Sequence, residues 1–285
     1  MPVILQASDL HFGKPHDSEA AEALLAAARQ IRPDLIVLAG DFTQRAKPRE
    51  FEQARAFIDR LPEVPRVLTP GNHDVALYRV AERLLFPFRN YRRWIEDRLD
   101  SVTRIDGLTV VALNTAAPRT AIVNGTVREA QLTYAREAFA EAPPGDLRVA
   151  VLHHHMAVPG DWTYHPPLPL RGRVLDVLEA AGVDLILSGH LHRGFVSRAA
   201  CVLPERSRDI LIVHSGTATS RRGRGAEKGK NTFNVVHVDA EHLTVEHHMY
   251  FRNDGVFRPT IRHVAPRPPA SWLAGRAGSP DSGAP

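Results

Sequence analysis

The chain has 285 residues, 44% of them hydrophobic and 24% charged, which is typical of a globular protein with one large domain or two small ones. A single cysteine, Cys201, excludes an internal disulfide and a cysteine-based zinc site. No apolar run approaches the ~18 residues of a membrane span, and the N-terminus carries no secretory pattern, so we expect a cytoplasmic protein without a membrane partner. The net charge of +4 suits a phosphate-bearing substrate but is far from a nucleic-acid-binding signature.

Short apolar runs alternate with helical patterns over the first two thirds of the chain. The runs lack the polar alternation of a half-exposed sheet, so they predict buried strands at Val3–Ala7, Leu35–Ala39, Arg66–Thr69, Leu108–Leu113, 148–152 and 184–188. Helices are predicted at residues 18–31, from 48 to about 61, and over roughly 76–99, 128–141 and 173–181. This alternation is typical of an α/β protein.

The last third of the sequence has a different character. Residues 210–214, 233–238 and 243–251 read as strands with turn-rich links, which favours a second sheet that is mixed or antiparallel. From about residue 266 the chain is rich in Pro, Gly, Ala and Ser, which predicts a disordered tail over 266–285. Residues 1–265 are then one folded domain.

Polar residues follow five of the predicted strands at their carboxyl ends, where open α/β sheets bind their ligands. In chain order these residues are Asp9 and His11, Asp41, then Asn72, His73 and Asp74, then the triplet His153, His154 and His155, and finally His190 and His192. Each motif alone has a structural explanation, such as a capping Asp or an Asx turn. Five of them in this order predict one converging site.

The chemistry of these side chains indicates metal ions. Imidazole, carboxylate and one amide oxygen, without a thiolate, suit Zn, Mn or Fe. About seven ligands are too many for one tetrahedral zinc ion. They fit two ions ~3.5–4 Å apart, which can hold the attacking and leaving oxygens of a phosphoryl displacement together. A hydroxide that bridges the two ions would be the nucleophile.

The motifs D-x-H, G-D, G-N-H-D, a strand-end histidine and G-H-x-H, in this order, are similar to those of the calcineurin-like metallophosphoesterases. Within that superfamily the chain resembles the bacterial class III cyclic-nucleotide phosphodiesterases over residues 3 to about 250. The resemblance implies a four-layer αββα sandwich with two mixed β-sheets and a dinuclear metal site at the carboxyl ends of the strands. Residues 1–265 would be the catalytic domain.

The resemblance also implies the reaction. The chain would be a metal-dependent phosphoric ester hydrolase, a phosphodiesterase of small substrates such as cyclic nucleotides. A nuclease or a phosphomonoesterase with the same site is the alternative, and a protein phosphatase is a third. A scaffold without metals is the non-enzymatic alternative, but every expected ligand type is present. The sequence defines neither the pair of divalent or mixed-valence metals nor the oligomeric state, and it leaves a nucleic-acid substrate open.

Residue roles follow from the resemblance alone. It implies one metal bound by Asp9, His11 and His192, a second bound by Asn72, His190 and one histidine of the triplet, and Asp41 bridging both. His73 would face the scissile phosphate, either stabilising the transition state or protonating the leaving oxygen. Asp74 would fix the tautomer of His73 through a hydrogen bond.

Within the triplet, His153 directly follows Leu152, which assigns it to the strand. The resemblance to a His-His pair then favours His154 as the ligand and His155 near the substrate, although Met156 and Ala157 stand where prolines are usual.

The other candidates are weaker. Asn114 lies at the same sheet end and would line the site, or else simply terminate its strand. Trp162 and Tyr164 could stack on a base, although ordinary loop packing is the default. The basic run 221–230 could contact phosphates, but a solvated hairpin tip is favoured. The remaining late histidines are interpreted as structural: His237, His242, His247 and His248.

Overall fold

The computed structural model describes residues 1–120, 123–161, 166–204 and 208–267, and twelve strands and seven α-helices lie within them. The strands are β1 Val3–Ala7, β2 Leu35–Ala39, β3 Arg66–Thr69, β4 Ser101–Ile105, β5 Leu108–Leu113, β6 Leu147–Leu152, β7 Leu185–Ser188, β8 Phe195–Arg198, β9 Leu211–His214, β10 Thr232–Val238, β11 His242–Phe251 and β12 Val256–Pro266. The helices are α1 Ser18–Ile31, α2 Pro48–Asp59, α3 Val80–Leu85, α4 Arg89–Trp94, α5 Glu129–Ala140, α6 Arg171–Ala180 and α7 Ala199–Val202. None of these helices has the length and apolar character needed to cross a bilayer.

The strands form two six-stranded mixed sheets. The first has the order β12-β11-β10-β1-β2-β3, and the second has the order β4-β5-β6-β7-β9-β8. In the first sheet β1, β2 and β3 are parallel, and β10 pairs with β1 in the antiparallel sense. In the second sheet β5, β6, β7 and β9 are parallel between two antiparallel edge strands. The parallel strands of both sheets therefore send their carboxyl ends to one region.

Three apolar layers hold the two sheets and the helices together. Side chains such as Val37 and Val151 form the core between the two sheets. The outer face of the first sheet packs against α1, α2 and α4, for example through Phe51 of α2. The outer face of the second sheet packs against α5 and α6, for example through Phe139 and Leu175. These layers confirm the predicted αββα sandwich with two mixed sheets.

The predicted helix over 76–99 is wrong in its extent, because two short helices, α3 and α4, occupy this segment. Pro87 lies between them. Proline lacks a backbone N–H and disfavours the helical conformation of the residue before it. Phe86 accordingly departs from the helical conformation, with a φ of −139°, and α3 ends one residue earlier, at Leu85.

The prediction that the last third forms a separate sheet is also wrong. The strand at residues 211–214 joins β7 in the second sheet, whereas β10 and β11 extend the first sheet from β1. Three strands were not predicted, namely β4, β8 and β12, and each is an edge strand without a continuous buried run. Pro259 lies in β12, where an edge position tolerates the missing N–H. Of the predicted tail, residues 268–285 lie outside the described residues.

The packing of α2 on the first sheet predicts a large stability effect at one position. Phe51 is fully buried, whereas Phe86 is 58% exposed, so the same truncation can be compared at both. We expect Phe51→Ala to lower the free energy of unfolding by about 3–5 kcal/mol, because it leaves a cavity in the core. Phe86→Ala should change it by about 0.5 kcal/mol or less. Urea denaturation measures both, and equal effects would contradict the layer assignment.

Candidate metal centre

The predicted site residues lie on loops that leave the carboxyl ends of adjacent parallel strands. Asp9 and His11 follow β1, Asp41 follows β2 and Asn72 follows β3, all in the first sheet. The histidine triplet follows β6, and the G-H-x-H segment follows β7, both in the second sheet. The site therefore straddles the two sheets at one end of the sandwich.

The backbone at this site is strained. Eight non-glycine residues in the described part of the chain have a left-handed φ, and five of them are predicted ligands: Asp9, His11, Asp41, His190 and His192, with φ between 48° and 77°. This conformation costs a residue with a Cβ atom about 1–2 kcal/mol. Strain of this kind persists only where the surroundings impose it, and it is concentrated at functional sites.

Four buried side chains form a first cluster, namely Asp9, His11, Asp41 and His192. The Nε2 atoms of His11 and His192 lie 3.1 Å apart, and His192 Nε2 lies 3.1 Å from Oδ1 of Asp9. His11 Nε2 is also 3.6 Å from Oδ2 of Asp41. Ligands about 2.1 Å from one ion lie about 3.0–3.5 Å from one another. The cluster therefore fits one metal ion.

A second group lies on the other side of Asp41. His153 Nε2 lies 3.2 Å from Oδ1 of Asn72 and 3.5 Å from Oδ1 of Asp41. His190 Nδ1 lies 3.0 Å from the same Asn72 oxygen. Asp41 thus directs Oδ2 to the first cluster and Oδ1 to the second group. One carboxylate between two ligand sets is the arrangement that a bridging ligand requires.

The geometry favours His153 as the triplet's ligand, which differs by one residue from the sequence prediction of His154. Nδ1 of His153 donates to the carbonyl oxygen of Ala39 at 2.7 Å, so Nε2 is the ring nitrogen directed at Asn72 and Asp41. The chain turns immediately after β6, so the residue assigned to the strand already points into the site.

The other two histidines of the triplet have different neighbours. His154 belongs to the same group of potential ligands as His153 and His190, but its Nδ1 lies 2.7 Å from the hydroxyl of Thr115. His155 is buried and stacks on His190, with the ring planes 13° apart. It does not line the cavity described below, so the geometry does not favour a substrate contact.

Backbone carbonyl groups orient two further imidazoles. Nδ1 of His192 donates to the carbonyl oxygen of Arg222 at 3.1 Å, and Nδ1 of His73 donates to the carbonyl oxygen of Gln44 at 2.8 Å. A ligand histidine usually binds metal through one nitrogen while the other donates such a hydrogen bond. The Nε2 atoms of His192 and His73 are therefore the ones available to the site.

The electrostatics of the centre also suit cations. Burial raises the pKa of Asp9, but His192 and His11 outweigh it and hold that pKa well below its usual range. Burial lowers the pKa of His153, yet the neighbouring Asp41 raises it to about 9. Burial raises the pKa of Asp41 too, but His153 and His73 hold it well below its usual range, so both carboxylates are ionised and stabilise positive charge between them. The residues present fit a metal pair.

Asp74 has a different role from the predicted one. Its carboxylate accepts backbone N–H groups from Thr43 and Gly71, both at 2.9 Å, and from Phe42 at 3.2 Å. It therefore ties the Asp41 loop to the Asn72 loop, while Gln44 fixes the His73 tautomer. Burial, followed by the charge of Asp41, raises the pKa of Asp74 to about 7.

Asn114 matches the alternative interpretation as a residue that terminates its strand. Its Oδ1 accepts the N–H of Ala116 at 2.9 Å, and its carbonyl oxygen accepts a hydrogen bond from Gln131. It is buried and does not line the cavity. Trp162 and Tyr164 lie outside the described residues.

A cavity of about 370 Å³ opens onto the centre. Its floor and walls are formed by Asp41, Gln44, Arg45, Asn72, His73, Val75, Leu77, Tyr78, Val123, His190, His192, Arg222 and Arg224. The sequence interpretation did not name Arg45, and within the basic run 221–230 it favoured a solvated hairpin over phosphate contacts. Arg221, Lys228 and Lys230 are exposed, as a solvated hairpin predicts, but Arg222 and Arg224 are partly buried in the cavity wall.

Comparison with known proteins identifies the family. A family model described as calcineurin-like phosphoesterase matches residues 2–194, which is more than half of the chain. The chain belongs to the calcineurin-like phosphoesterase family. It is therefore a phosphoesterase, a hydrolase that acts on ester bonds, and the family together with the ligand clusters implies a dinuclear divalent metal site.

Curated relatives support the resemblance to the class III type. A cAMP/cGMP dual specificity phosphodiesterase of Mycobacterium tuberculosis is 27% identical over 267 residues, covering 83% of this chain and 76% of the relative. A probable cyclic nucleotide phosphodiesterase of Rhodococcus erythropolis is 27% identical over 230 residues, covering 76% and 71% of the two chains.

Solved structures show the same fold. A purple acid phosphatase from yellow lupin superposes with a TM-score of 0.71 at 12% identity, covering 93% of this chain and 54% of the lupin chain. A dimetal phosphatase from Danio rerio superposes with a TM-score of 0.64 at 12% identity, covering 94% of this chain and all of the other.

Proposed function

We propose that this phosphoesterase hydrolyses small phosphodiesters, such as cyclic nucleotides, with two metal ions of the Mn, Fe or Zn type. The observation that carries the proposal is the position of Asp41, whose two carboxylate oxygens face separate ligand sets. The proposed ligands are Asp9, His11 and His192 for one ion, and Asn72, His153 and His190 for the other, with Asp41 shared between them. A bound metal pair would lower the pKa of a water molecule and offset the charge of the phosphate.

His73 is proposed to act on the leaving oxygen. Its Nδ1 is engaged by Gln44, so Nε2 is the atom that faces the cavity, where it lies 3.3 Å from Nη1 of Arg222. In its protonated form, with a hydrogen on Nε2 as well as Nδ1, an imidazole held at this point can donate a proton or a hydrogen bond to the oxygen on which charge develops. The carbonyl of Gln44 keeps the ring in position for that role.

The preference for a small diester rests on the cavity and the relatives. Val75, Leu77 and Tyr78 give the cavity an apolar wall, against which a base or another apolar group can pack. The relatives from Mycobacterium and Rhodococcus carry names that refer to cyclic nucleotides. A cytoplasmic location stays a prediction from the sequence.

A substrate panel tests the proposal. The purified protein with Mn²⁺ is given cyclic AMP, bis(p-nitrophenyl) phosphate, p-nitrophenyl phosphate and DNA, and kcat/KM is measured for each. We expect the two small diesters to exceed the monoester and DNA by about tenfold or more, which corresponds to about 1.4 kcal/mol of transition-state binding. Higher turnover of DNA would favour a nuclease, and higher turnover of the monoester would favour a phosphomonoesterase. Either result would overturn the proposal.

A further inference from the structure

Three arginines line the catalytic cavity: Arg45, Arg222 and Arg224. Two nearby arginines form ion pairs instead: Arg221 with Asp17, and Arg193 with Asp161. Among the residues that the structure describes, none of the three cavity arginines has a carboxylate within ion-pair distance. Their guanidinium groups line the cavity without a direct ion pair to the described residues, although Asp41 and Asp9 act on Arg222 at longer range.

Arg222 is partly buried in the cavity wall and contacts two other residues that line it. Its Nη1 donates to Oε1 of Gln44 at 3.0 Å and lies 3.3 Å from Nε2 of His73. A guanidinium group has five N–H donors, so most of its hydrogen-bonding capacity stays available to a ligand. Arg222 therefore lies beside His73, where it can bind an anionic group of the substrate.

The loop that carries Arg222 and Arg224 is held in place by the buried carboxylate of Glu227. Glu227 accepts the N–H of Gly194 at 2.9 Å and the hydroxyl of Thr232 at 2.7 Å, and it lies 3.0 Å from Nε2 of His247. The backbone N–H of Arg224 donates to the carbonyl oxygen of His192 at 3.0 Å. These contacts fix the arginine loop to the G-H-x-H segment.

Arg45 is the third arginine of the cavity and follows Gln44 directly in the chain. Its guanidinium lies 5.5 Å from the ring centre of Tyr78. A second cavity shares Gln44 and Arg45 with the catalytic cavity and is lined further by Lys14, Lys47 and Arg49. The acid at that point, Glu50, accepts the backbone N–H groups of Arg45 and Lys47, at 2.7 and 3.3 Å. The positive surface therefore continues outward from the catalytic cavity.

We propose that Arg45, Arg222 and Arg224 form an anion subsite that binds a second phosphate group of the substrate, in addition to the phosphate that is hydrolysed. Guanidinium groups bind phosphate through paired, charge-assisted hydrogen bonds. One phosphodiester carries a single negative charge, whereas the three guanidinium groups, which form no ion pair with the described residues, can bind a second anionic group as well. The inference rests on the proposed function and narrows it: the preferred diesters carry a further phosphate, and cyclic AMP would be a substrate that leaves the subsite empty.

Equilibrium binding tests the subsite with two probes that differ by one phosphate, adenosine 5′-monophosphate and adenosine 3′,5′-bisphosphate. Calorimetric titration of the purified protein, with the probes checked for integrity afterwards, gives the ratio of the two dissociation constants. We expect the bisphosphate to bind about 10-fold or more tightly than the monophosphate. In the double variant Arg45→Gln/Arg224→Gln the ratio should fall to about 3 or less. Neither side chain forms an ion pair within the described part of the chain, so the variant should fold.

Arg136→Gln is the matched control, since Arg136 is an exposed arginine of α5 outside both cavities. It should keep the wild-type ratio. A wild-type ratio near 1, or a double variant with an unchanged ratio, would overturn the subsite. The ratio of dissociation constants is measured without turnover, so this test is independent of the substrate panel. A protein that hydrolyses diesters but binds both probes equally well lacks only the subsite.

Discussion

Asp41→Asn is expected to lower kcat/KM for bis(p-nitrophenyl) phosphate at saturating Mn²⁺ by about 1,000-fold or more. Asp41 is the buried side chain that reaches both ligand sets, with Oδ2 3.6 Å from His11 Nε2 and Oδ1 3.5 Å from His153 Nε2. An amide has one oxygen and no charge, so it cannot serve both ions. Metal ions contribute several kcal/mol to such reactions, and each 1.4 kcal/mol is a factor of ten.

Asp106→Asn is the control for this change. Asp106 is an exposed turn residue between β4 and β5, so the same substitution there should leave kcat/KM unchanged. Thermal unfolding of both variants shows whether the fold survives. An Asp41→Asn protein that is folded and keeps more than about one tenth of the activity would contradict the bridging role.

His73→Asn is expected to lower kcat/KM by about 100- to 10,000-fold for a diester with a poor leaving group. The reason is the position of Nε2, which faces the cavity because Nδ1 is held by Gln44. The loss should be smaller for a diester that releases p-nitrophenol, since that oxygen needs little help from an acid. Methyl phenyl phosphate and methyl p-nitrophenyl phosphate provide the comparison.

The metal content of the His73→Asn protein separates this role from metal binding. His73 is not among the proposed ligands, so the variant should retain as much metal as the wild type. A variant that loses metal together with activity would make His73 a structural part of the centre. Full activity on both diesters would remove it from the reaction.

The central strands could be predicted from the sequence, whereas the edges of the sheets could not. Parallel strands such as β2 and β5 are buried on both faces, so they appear as continuous apolar runs. The edge strands β4, β8 and β12 are half-exposed and give no such run. The sheet to which β9 belongs depends on long-range pairing with β7, which no local pattern encodes.

The site shows the same division between local and long-range information. Asp9, Asp41 and His190 could be predicted, because each stands in a short motif directly after a strand. The choice between His153 and His154 could not, because it depends on a hydrogen bond between His153 and Ala39, far apart in the chain.

The position of the loop that carries Arg222 and Arg224 could not be predicted from its own sequence. Its sequence is only a basic run, and the contacts of Glu227 with Gly194 and His247 that bury part of it are formed across elements. The acidic residue within the basic run, Glu227, was the one sequence feature that could have indicated a buried anchor.

Anomalous scattering from crystals grown with Mn²⁺ tests the central claim most directly. We expect two peaks ~3.5–4 Å apart, one on each side of Asp41. One peak should be bounded by Asp9, His11 and His192, and the other by Asn72, His153 and His190. A single peak, or a second peak coordinated by His154 in place of His153, would contradict it.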